Sequence, residues 1–526
     1  MNFVIAFIPI LLILILMVGL RWSAARAGAA GYLCAIIIAV SSFGSGLELL
    51  AYAHVKAFLL IVDVLLVIWA AFLLYRVADE AGAIRTIGMA LPLLTPDVGM
   101  QAVIIGWIFA SFLQGVGGFG VPVAVISPIL VGLGFTPLAA VVIPSIGHGW
   151  AVTFGSMGSS FQALLAATGQ PAELLAPPSA IFLGISCLLV GLMVTHVAGG
   201  WAAVRRLFVP VLFVGVIMAA VQFLVATRGP WNIGAFSGSL AGMIVVILLV
   251  YWNGKRTKNG SQATASNSQS SSPSDPKSEF QDLKNQLLLA VSGYAILIVV
   301  TLCVQLIPAI KELLGQVVIQ IHFPEVSTSL GYITPAGLGR KLSIFGHTGM
   351  VLLYSSILAY MAYYSAGSFT SGSIGRIISG TLKRVMSSSV SIASMVTMAV
   401  VMEHAGMTEV LARGLAQGMG KLFPLVSPWI GALGAFMTGS NTNSNVVFGA
   451  LQLQTAQLLG YSIPVILAAQ TVGAAMASVI APTKVVVGAS TAGMAGKEGE
   501  VMRKLAIYTF LLVLLVSILT AVSVWF

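Results

Sequence analysis

Residues 112–125 read FLQGVGGFGVPVAV, and this stretch interrupts a series of long apolar segments with four glycines and a proline. The letters GVGGFG satisfy the GxGxxG pattern of dinucleotide-binding loops. Such a loop follows a β-strand and precedes an acidic residue by about 20 positions, whereas the next acidic residue after Gly120 is Glu173. The nucleotide interpretation therefore fails, and the glycines with Pro122 predict a break in a membrane helix.

The composition places the chain in a lipid bilayer. Of its 526 residues, 58% are hydrophobic and 8% are charged, and the mean hydropathy is +1.02. Soluble domains carry about 25% charged residues. Apolar runs long enough to cross a hydrocarbon core of about 30 Å recur from end to end. We predict an all-α polytopic membrane protein with about 11–14 transmembrane segments and re-entrant pieces.

The net charge of +10 is spread over short loops, so it gives no nucleic-acid patch. Arg21 and Arg26 follow the first apolar run, Arg205 and Arg206 precede a later one, and Lys255 follows another. Loops rich in Lys and Arg face the cytoplasm. We therefore expect a multi-pass membrane protein with its amino terminus outside.

Residues 253–285 form the clearest change in composition, a tract of Ser, Asn, Gln and Lys that cannot bury a core. We predict a flexible cytoplasmic linker there. It separates an N-terminal transmembrane repeat, residues 1–252, from a C-terminal repeat, residues 286–526. Because the first half begins outside and the second begins inside, we expect an inverted repeat, the plan of many secondary transporters.

An inverted repeat predicts an interrupted hydrophobic segment at a corresponding place in each half. The first half has a hairpin around 112–158, and the second has one around 423–460, where the small polar run SNTNSN occupies 440–445. Ser, Thr and Asn compete with a helix for backbone hydrogen bonds, so we expect this run to be unwound. Irregular backbone at membrane depth lines a cavity or is covered by protein. The two breaks should therefore face each other around a polar site.

Both breaks resemble signature segments of the lactate permease family. The resemblance spans nearly the whole chain and rests on GFGVPVAV and LVGLGFTPL within 118–138, FGSMG at 154–158, SPWIGALGAFMTGS at 427–440 and AGKE at 495–498. It implies a proton-coupled carrier of lactate, glycolate or a related 2-hydroxymonocarboxylate. In the wider superfamily, two helical hairpins with Ser-Asn-Thr tips surround an anion, and Ser440-Asn441-Thr442 is similar to such a tip.

The chain departs from the family pattern at charged positions. Members usually carry Glu at the position of Gln114, and Asp is common where Asn441 stands. A segment of the Asn-Thr-Ala-Pro-Val type reads HGWAV at 148–152, and a Pro-Gln-Ser/Asn pattern reads PTK at 482–484. The site should be more electropositive than that of a lactate carrier. A short sulfonate or a hydroxy-dicarboxylate, with sodium coupling, therefore stays open as an alternative.

Candidate substrate-binding residues lie in or beside the two breaks. They are Gln114, Gly115, Gly117, Gly118, Phe119, Gly120, Phe154, Gly155, Ser440, Asn441, Thr442, Asn443, Ser444, Asn445 and Lys484. Close helix packing is the alternative for the glycines, a polar packing seam for the run at 440–445, and snorkelling to an interface for Lys484.

Ionisable residues inside a membrane are costly unless they are paired or hydrated, and they are functional candidates for that reason. His148, His347 and Asp63 are therefore candidates for binding the coupling ion, with a structural role as the alternative for each histidine. Lys484 lies between apolar stretches and is a candidate for attracting the anion.

These observations predict a secondary active transporter that takes up a small organic anion by proton symport, with lactate or glycolate as the substrate. Its partners are the anion, a coupling proton or sodium ion and the lipid bilayer; a homodimer stays open. No Walker A, HExxH or GxSxG pattern is present, so no metal, cofactor or enzyme activity is expected. The rivals are a channel and a proton-translocating membrane-enzyme subunit, which would need more intramembrane Lys, Glu and His.

Overall fold

Helices dominate the structure because backbone amides inside a bilayer have no water to bond to. A computed structural model describes residues 2–118, 120–258, 276–339 and 341–525. Within these ranges, ten helical segments are long and apolar enough to cross a membrane. One of them, Ala172–Thr227, has 56 residues and changes direction at Gly199 and Gly200, so it is long enough to cross twice. The predicted all-α polytopic membrane fold is confirmed.

The helices of the N-terminal half are α1 (Asn2–Leu14), α2 (Ala24–Phe43), α3 (Leu47–Glu80), α4 (Ala83–Ala90), α5 (Val98–Gln101), α6 (Ala110–Val116), α7 (Val121–Gly132), α8 (Pro137–Gly147), α9 (Ser159–Thr168), α10 (Ala172–Thr227) and α11 (Gly234–Lys258). Two π-helical segments, Ile15–Gly19 and Ala102–Phe109, continue α1 and join α5 to α6. Short 3-10 turns occupy Leu91–Leu94, Gly149–Ala151 and Trp231–Ile233.

The helices of the C-terminal half are α12 (Pro276–Leu306), α13 (Pro308–Leu314), α14 (Thr348–Ser365), α15 (Ser373–His404), α16 (Met407–Met419), α17 (Phe423–Thr438), α18 (Asn441–Leu459), α19 (Ile463–Ala477), α20 (Pro482–Thr491) and α21 (Glu498–Trp525). Its 3-10 turns are Gly420–Leu422 and Ser478–Ile480. Helices α11 and α12 extend into the predicted linker from both sides, and its middle, residues 259–275, lies outside the described residues.

Six strands of two residues each lie between α13 and α14, a feature that the sequence did not predict. They are β1 (Val318–Ile319), β2 (His322–Phe323), β3 (Val326–Ser327), β4 (Ile333–Thr334), β5 (Gly337–Leu338) and β6 (Leu342–Ser343). They pair antiparallel as β1 with β6, β2 with β5 and β3 with β4, so the segment folds back on itself as one long hairpin. We call it the β segment.

The amino terminus and the β segment lie at the same face of the molecule. The main-chain N–H of Ser329 in the β segment donates to the carbonyl of Gly44 in the α2–α3 turn, and Gly406 before α16 packs against Tyr332. Phe3 packs against Gly414 of α16. Helix α12 leads through α13 into the β segment, so its end lies near this face. Because α12 is 31 residues long, or about 46 Å at 1.5 Å per residue, its start lies at the opposite face. The amino terminus and the start of α12 therefore lie at opposite faces, and which face is outside stays a prediction.

Two tryptophans centre the core of the first half. Trp107 and Trp150 are fully buried, and the Trp150 indole N–H donates to the hydroxyl of Ser111 at 2.7 Å. A Cβ placed on Gly191 of α10 would lie 2.7 Å from the Trp107 ring. Small residues here let α10 approach closely, as is common where membrane helices pack.

Each half contains two interrupted helix pairs. The interruptions are residues 117–120 between α6 and α7, 148–158 between α8 and α9, 439–440 between α17 and α18, and 478–481 between α19 and α20. The predicted hairpin around 423–460 corresponds to α17 and α18, whereas the stretch 112–158 holds two interruptions rather than one. The recurrence fits a repeat, and its inverted symmetry stays a prediction.

The expectation that SNTNSN is unwound is wrong. Asn441 to Asn445 form the first turns of α18, and only Gly439 (φ 71°) and Ser440 (φ −142°) leave helical geometry. The Ser440 hydroxyl caps the helix by accepting from the main-chain N–H of Asn443 at 3.3 Å. Small polar residues break a helix in its interior but stabilise its first turn, because they satisfy free amide donors there.

Candidate functional site

The amino termini of four helices meet in the interior of the bundle: those of α7, α9, α18 and α20. A Cβ placed on Gly120, which precedes α7, would lie 4.0 Å from Cγ of Lys484 in α20. Gly439, just before α18, packs tightly against Thr483 of α20. The hydroxyls of Ser160 in α9 and Thr442 in α18 lie 3.1 Å apart. We call this arrangement the helix-start ring.

The glycine break closes the ring between α7 and α9. The main-chain N–H of Ser156 donates to the carbonyl of Gln114 at 2.7 Å, and that of Met157 donates to Gly115 at 3.0 Å. Gly118 lies so close to Ser156 that a side chain there would overlap its hydroxyl. Gly118 and Gly120 have φ of 57° and 85°, where only glycine is relaxed.

The loop before α9 is conformationally strained. Ser156 and Met157 have φ of 48° and 52°, the left-handed region that non-glycine residues seldom occupy. Such residues persist where the surrounding structure holds them, and they are enriched at functional sites. The main-chain bonds from this loop to Gln114 and Gly115 are what hold it here.

A buried polar cluster joins the two halves of the chain at the ring. The Asn441 amide donates to Thr153 at 3.2 Å, and the Asn445 amide donates to Thr471 of α19 and to the carbonyl of Ser160, each at 2.9 Å. The Thr153 and Thr471 hydroxyls are 3.3 Å apart. We define the polar cluster as Thr153, Ser160, Asn441, Thr442, Asn445 and Thr471, all of them buried.

One acceptor in this cluster faces no donor. Asn445 Oδ1 is buried and has no hydrogen-bond partner among the described residues. Buried amide oxygens normally have a partner, and leaving one without a bond costs about 1–3 kcal/mol. An unpartnered acceptor beside several hydroxyl groups is suited to receive a hydroxyl hydrogen from a ligand.

Asn443 and Ser444 lie on the other side of α18 and bind protein instead. The Asn443 amide donates to Ser391 of α15 at 2.9 Å. The Ser444 hydroxyl donates to the carbonyl of Gly431 in α17 at 2.7 Å and accepts from the Gln470 amide at 3.0 Å. Of the polar run, Asn443 therefore joins α18 to α15 and Ser444 joins it to α17 and α19, contacts that agree with the packing-seam alternative for these two residues.

Lys484 is buried in the first turn of α20 and supplies a full positive charge to the ring. It is 7% exposed, and its ammonium group donates to the Ser478 hydroxyl at 3.1 Å. Among the described residues it is the only buried lysine or arginine. The snorkelling alternative is therefore wrong in this conformation.

His148 is fully buried and close enough to Lys484 to interact with its charge. Its Nδ1 lies 2.7 Å from the carbonyl of Pro144, which can only accept. The hydrogen of a neutral ring is therefore on Nδ1, and Nε2 is an acceptor with no partner among the described residues. Gln114 Oε1 is likewise a buried acceptor with no hydrogen-bond partner among the described residues.

Other predicted site residues serve packing. A Cβ on Gly115 would lie 2.8 Å from Cα of Phe236, and one on Gly117 would lie 2.9 Å from the Tyr75 ring. Phe154 is buried with its ring centroid 4.9 Å from that of Phe161. Gly155 packs on the carbonyl of Gln114, and Phe119 lies outside the described residues.

Asp63 and His347 form a separate buried pair. His347 Nε2 lies 2.8 Å from Asp63 Oδ1, and the Gln162 amide of α9 donates to both carboxylate oxygens at 2.9 and 2.8 Å. The sequence predicted both ionisable residues individually and gave no sign that they pair.

A cavity of about 430 Å³ leads inward from the face of the β segment. Lys56 and Glu403, whose charged groups are 3.6 Å apart, lie at its rim, and Lys341 of the β segment also lines it. Its wall includes Val446, next to Asn445, and Val64, next to Asp63. The cavity therefore approaches both the polar cluster and the buried pair.

Sequence reasoning missed Thr153, Ser160, Gln162, Thr471 and Ser478. The signal for Thr471 was available, since Gln470 and Thr471 are isolated polar residues inside the apolar helix ILAAQTVGAAM. Thr153 and Ser160 have their partners at the start of α18, 288 and 282 positions away in the chain, and Gln162 bonds Asp63, 99 positions earlier. No local pattern reports such a contact.

Interrupted helix pairs whose amino termini meet inside a membrane-spanning bundle define a class, the secondary transporters. The family model for L-lactate permease matches residues 2–526. The chain belongs to the L-lactate permease family.

Its similarity to individual permeases extends over most of their length. The glycolate permease GlcA of Escherichia coli K12 is 27% identical over all of this chain and 96% of its own. The L-lactate permease of Bacillus subtilis 168 is 28% identical over 86% of this chain and 83% of its own, and that of Escherichia coli K12 is 26% identical over 87% and 84%. Among solved structures, the YdaH transporter of Alcanivorax borkumensis aligns over 87% of this chain and 84% of its own, with 15% identity and a TM-score of 0.46.

Proposed function

We propose that this protein takes up a 2-hydroxymonocarboxylate, lactate or glycolate, by proton symport across a prokaryotic plasma membrane. The observation that carries the proposal is the helix-start ring around Lys484. The relatives described above are named as permeases of lactate or glycolate, which supports the same substrate class.

The ring suits an anion for electrostatic reasons. Each helix amino terminus carries a partial charge of roughly +0.5 and free N–H donors. The Lys484 ammonium adds a full charge; at an effective dielectric constant near 20, an ion pair at about 4 Å is worth about 4 kcal/mol before desolvation. A carboxylate bound there would exchange its water shell for fixed donors.

The polar cluster supplies recognition of the 2-hydroxyl group. Asn445 Oδ1 can accept the hydroxyl hydrogen, and the Asn441 amide and the Thr153 hydroxyl can rearrange to donate to the hydroxyl oxygen. A site built to bond a hydroxyl group rejects analogues without one, because its own polar groups would be left unpaired.

The charge count favours a monocarboxylate over the alternatives. One buried lysine neutralises one carboxylate, whereas the second carboxylate of a hydroxy-dicarboxylate would have only the partial charges of the helix starts as a counter-charge, with no second buried cation among the described residues. A short sulfonate carries one charge but lacks the planar carboxylate with a neighbouring hydroxyl.

The experiment is counterflow in proteoliposomes preloaded with lactate, followed by entry of labelled lactate. Unlabelled glycolate should compete with the label, whereas propionate, which lacks the 2-hydroxyl group, and succinate should compete at least about ten-fold less well. Equal competition by propionate would remove the hydroxyl-recognition step. Absence of counterflow with both lactate and glycolate, in protein that inserts normally, would contradict the proposed substrate class.

A further inference from the structure

A single carboxylate joins three elements of the fold. Asp63 lies near the middle of α3, His347 immediately precedes α14, and Gln162 lies in α9. The Asp63 and His347 side chains are 3% and 7% exposed. Because burying an ionisable group in a membrane protein is costly, such a site is a candidate for function.

The hydrogen bonds fix where the hydrogens are. The main-chain N–H of Gly349 lies 3.1 Å from His347 Nδ1, and an N–H group can only donate. His347 Nδ1 is therefore the acceptor, Nε2 carries the ring hydrogen, and it donates to Asp63. With the Gln162 amide also donating, both side-chain oxygens of Asp63 accept hydrogen bonds in this conformation.

Asp63, His347 and Gln162 link α3, α14 and α9, and we call this link the α3–α9–α14 joint. Adding one proton, either to Asp63 or to His347, weakens its hydrogen bonds. A proton on Asp63 turns charge-assisted hydrogen bonds into neutral ones, which are roughly half as strong. A proton on His347 Nδ1 displaces the Gly349 N–H and removes the cap of α14. Proton binding and the fit of α3, α9 and α14 are therefore linked.

The same joint is connected to the polar cluster through α9. Gln162 follows Ser160 by two positions, and Ser160 bonds Thr442 with its hydroxyl and Asn445 with its carbonyl. A shift of α9 at Gln162 therefore moves two contacts of α18. The cavity also comes close to the pair, since Val64 and Ala163, the neighbours of Asp63 and Gln162 in the chain, both line it.

Other charged groups lie on the elements that pack around the pair. On the side of the β segment, Lys56 of α3 is paired with Glu403 of α15, and His404 bonds the carbonyl of Val400. Helices α9, α14 and α18 carry no Asp, Glu, Lys, Arg or His. Lys341 lines the outer cavity, and toward the opposite face Arg384 of α15 lies over the Phe72 ring.

We propose that Asp63 and His347 together are the proton-binding site of the transporter, and that proton uptake there loosens the α3–α9–α14 joint and so couples to the anion site. The inference rests on the proposed function, because coupling requires a transported anion. It leaves His148 out of proton binding, since that ring belongs to the surroundings of Lys484.

The test separates exchange from accumulation in proteoliposomes. Asp63→Asn keeps a side-chain acceptor for His347 and Gln162 but cannot gain a proton. Lactate counterflow, which needs no net proton movement, should stay within about three-fold of wild type, while accumulation driven by an imposed pH gradient should fall at least about ten-fold. Glu409→Gln, an acid-to-amide change at the partly exposed partner of Arg413 on α16, is the matched control and should leave both unchanged.

A second variant and a measurement without substrate guard against misfolding. His347→Asn retains a residue able to cap α14 and should uncouple in the same way. Infrared difference spectra of substrate-free protein, recorded over a pH series, should contain a protonated-carboxyl band that Asp63→Asn lacks.

Three results would overturn the inference: normal accumulation by Asp63→Asn, an infrared difference unchanged by that substitution, or accumulation driven by a sodium gradient alone. If the proposed substrate class were wrong, the results would differ from these three. Wild-type protein would show no lactate or glycolate counterflow, while the infrared band would still be lost in Asp63→Asn.

Discussion

The glycine break between α6 and α7 and the polar break between α17 and α18 interrupt their helices by different means. In the first, Gly118 and Gly120 take backbone conformations that other residues avoid, and Gly115 and Gly117 make room for neighbouring side chains and backbone. In the second, two residues suffice, and Asn441 and its neighbours are helical. The first break shapes the backbone of the ring, and the second supplies side chains that bond.

This difference teaches that a conspicuous motif and the chemistry of a site need not coincide. The glycines form the conspicuous motif of the first half. The proposed ligand contacts of that half, however, are the start of α7 and the hydroxyls of Thr153 and Ser160, which lie further along the chain. Substitutions in the polar break should therefore reduce binding more than stability, and substitutions in the glycine break should reduce stability more than binding.

The largest effect is expected at Asn445. Asn445→Leu removes the unpartnered acceptor and two donated bonds from the polar cluster, so lactate binding should be abolished while most of the protein still inserts and folds. Binding is measured as substrate-induced thermal stabilisation of purified protein. Gln457→Leu, exposed on the same helix, is the control, and equal stabilisation of Asn445→Leu and wild type would place the hydroxyl-binding group elsewhere.

The next largest effect is expected at Lys484, the buried cation of the helix-start ring. Lys484→Gln keeps a donor for Ser478 but removes the full charge, so the KM for lactate should rise at least about ten-fold, in line with an ion pair worth a few kcal/mol. Lys484→Arg should not restore it, because a forked guanidinium needs more room than an ammonium. An unchanged KM in Lys484→Gln, with Lys421→Gln at the surface as control, would remove the lysine from the site.

A smaller, pH-dependent effect is expected at Gln114, on the glycine side. Gln114→Glu places a carboxyl group beside the ring, and above the pKa of that group its charge repels the anion. Lactate uptake should therefore fall as pH rises, relative to wild type at each pH. Superimposable pH profiles would show that position 114 does not sense the substrate.

The smallest effect on transport is expected at Gly117. A Cβ there would lie 2.9 Å from the Tyr75 ring, and overpacking of this kind typically costs about 1–3 kcal/mol. Gly117→Ala should lower the melting temperature while the KM for lactate stays within about two-fold of wild type. A large rise in KM without loss of stability would instead make this glycine part of the binding surface.

Composition and hydropathy were enough to predict the membrane fold, because apolar runs of about 20 residues satisfy their backbone amides in a bilayer by forming helices. The positions of both breaks also followed from local chemistry. The helical state of Asn441 to Asn445 did not, since the same residues disfavour a helix interior and favour its start. The sequence could not predict the pairing of Asp63 with His347, because the two residues are 284 positions apart in the chain.

The central claim is that the anion binds where the starts of α7, α9, α18 and α20 meet, and a structure of the purified protein with bound lactate tests it most directly. The account predicts the carboxylate within about 4 Å of the Lys484 ammonium group and the 2-hydroxyl group at hydrogen-bond distance from Asn445, about 2.8 Å. Lactate resting in the outer cavity against Lys56 and Lys341, with no ligand in the ring at saturating concentration, would contradict it.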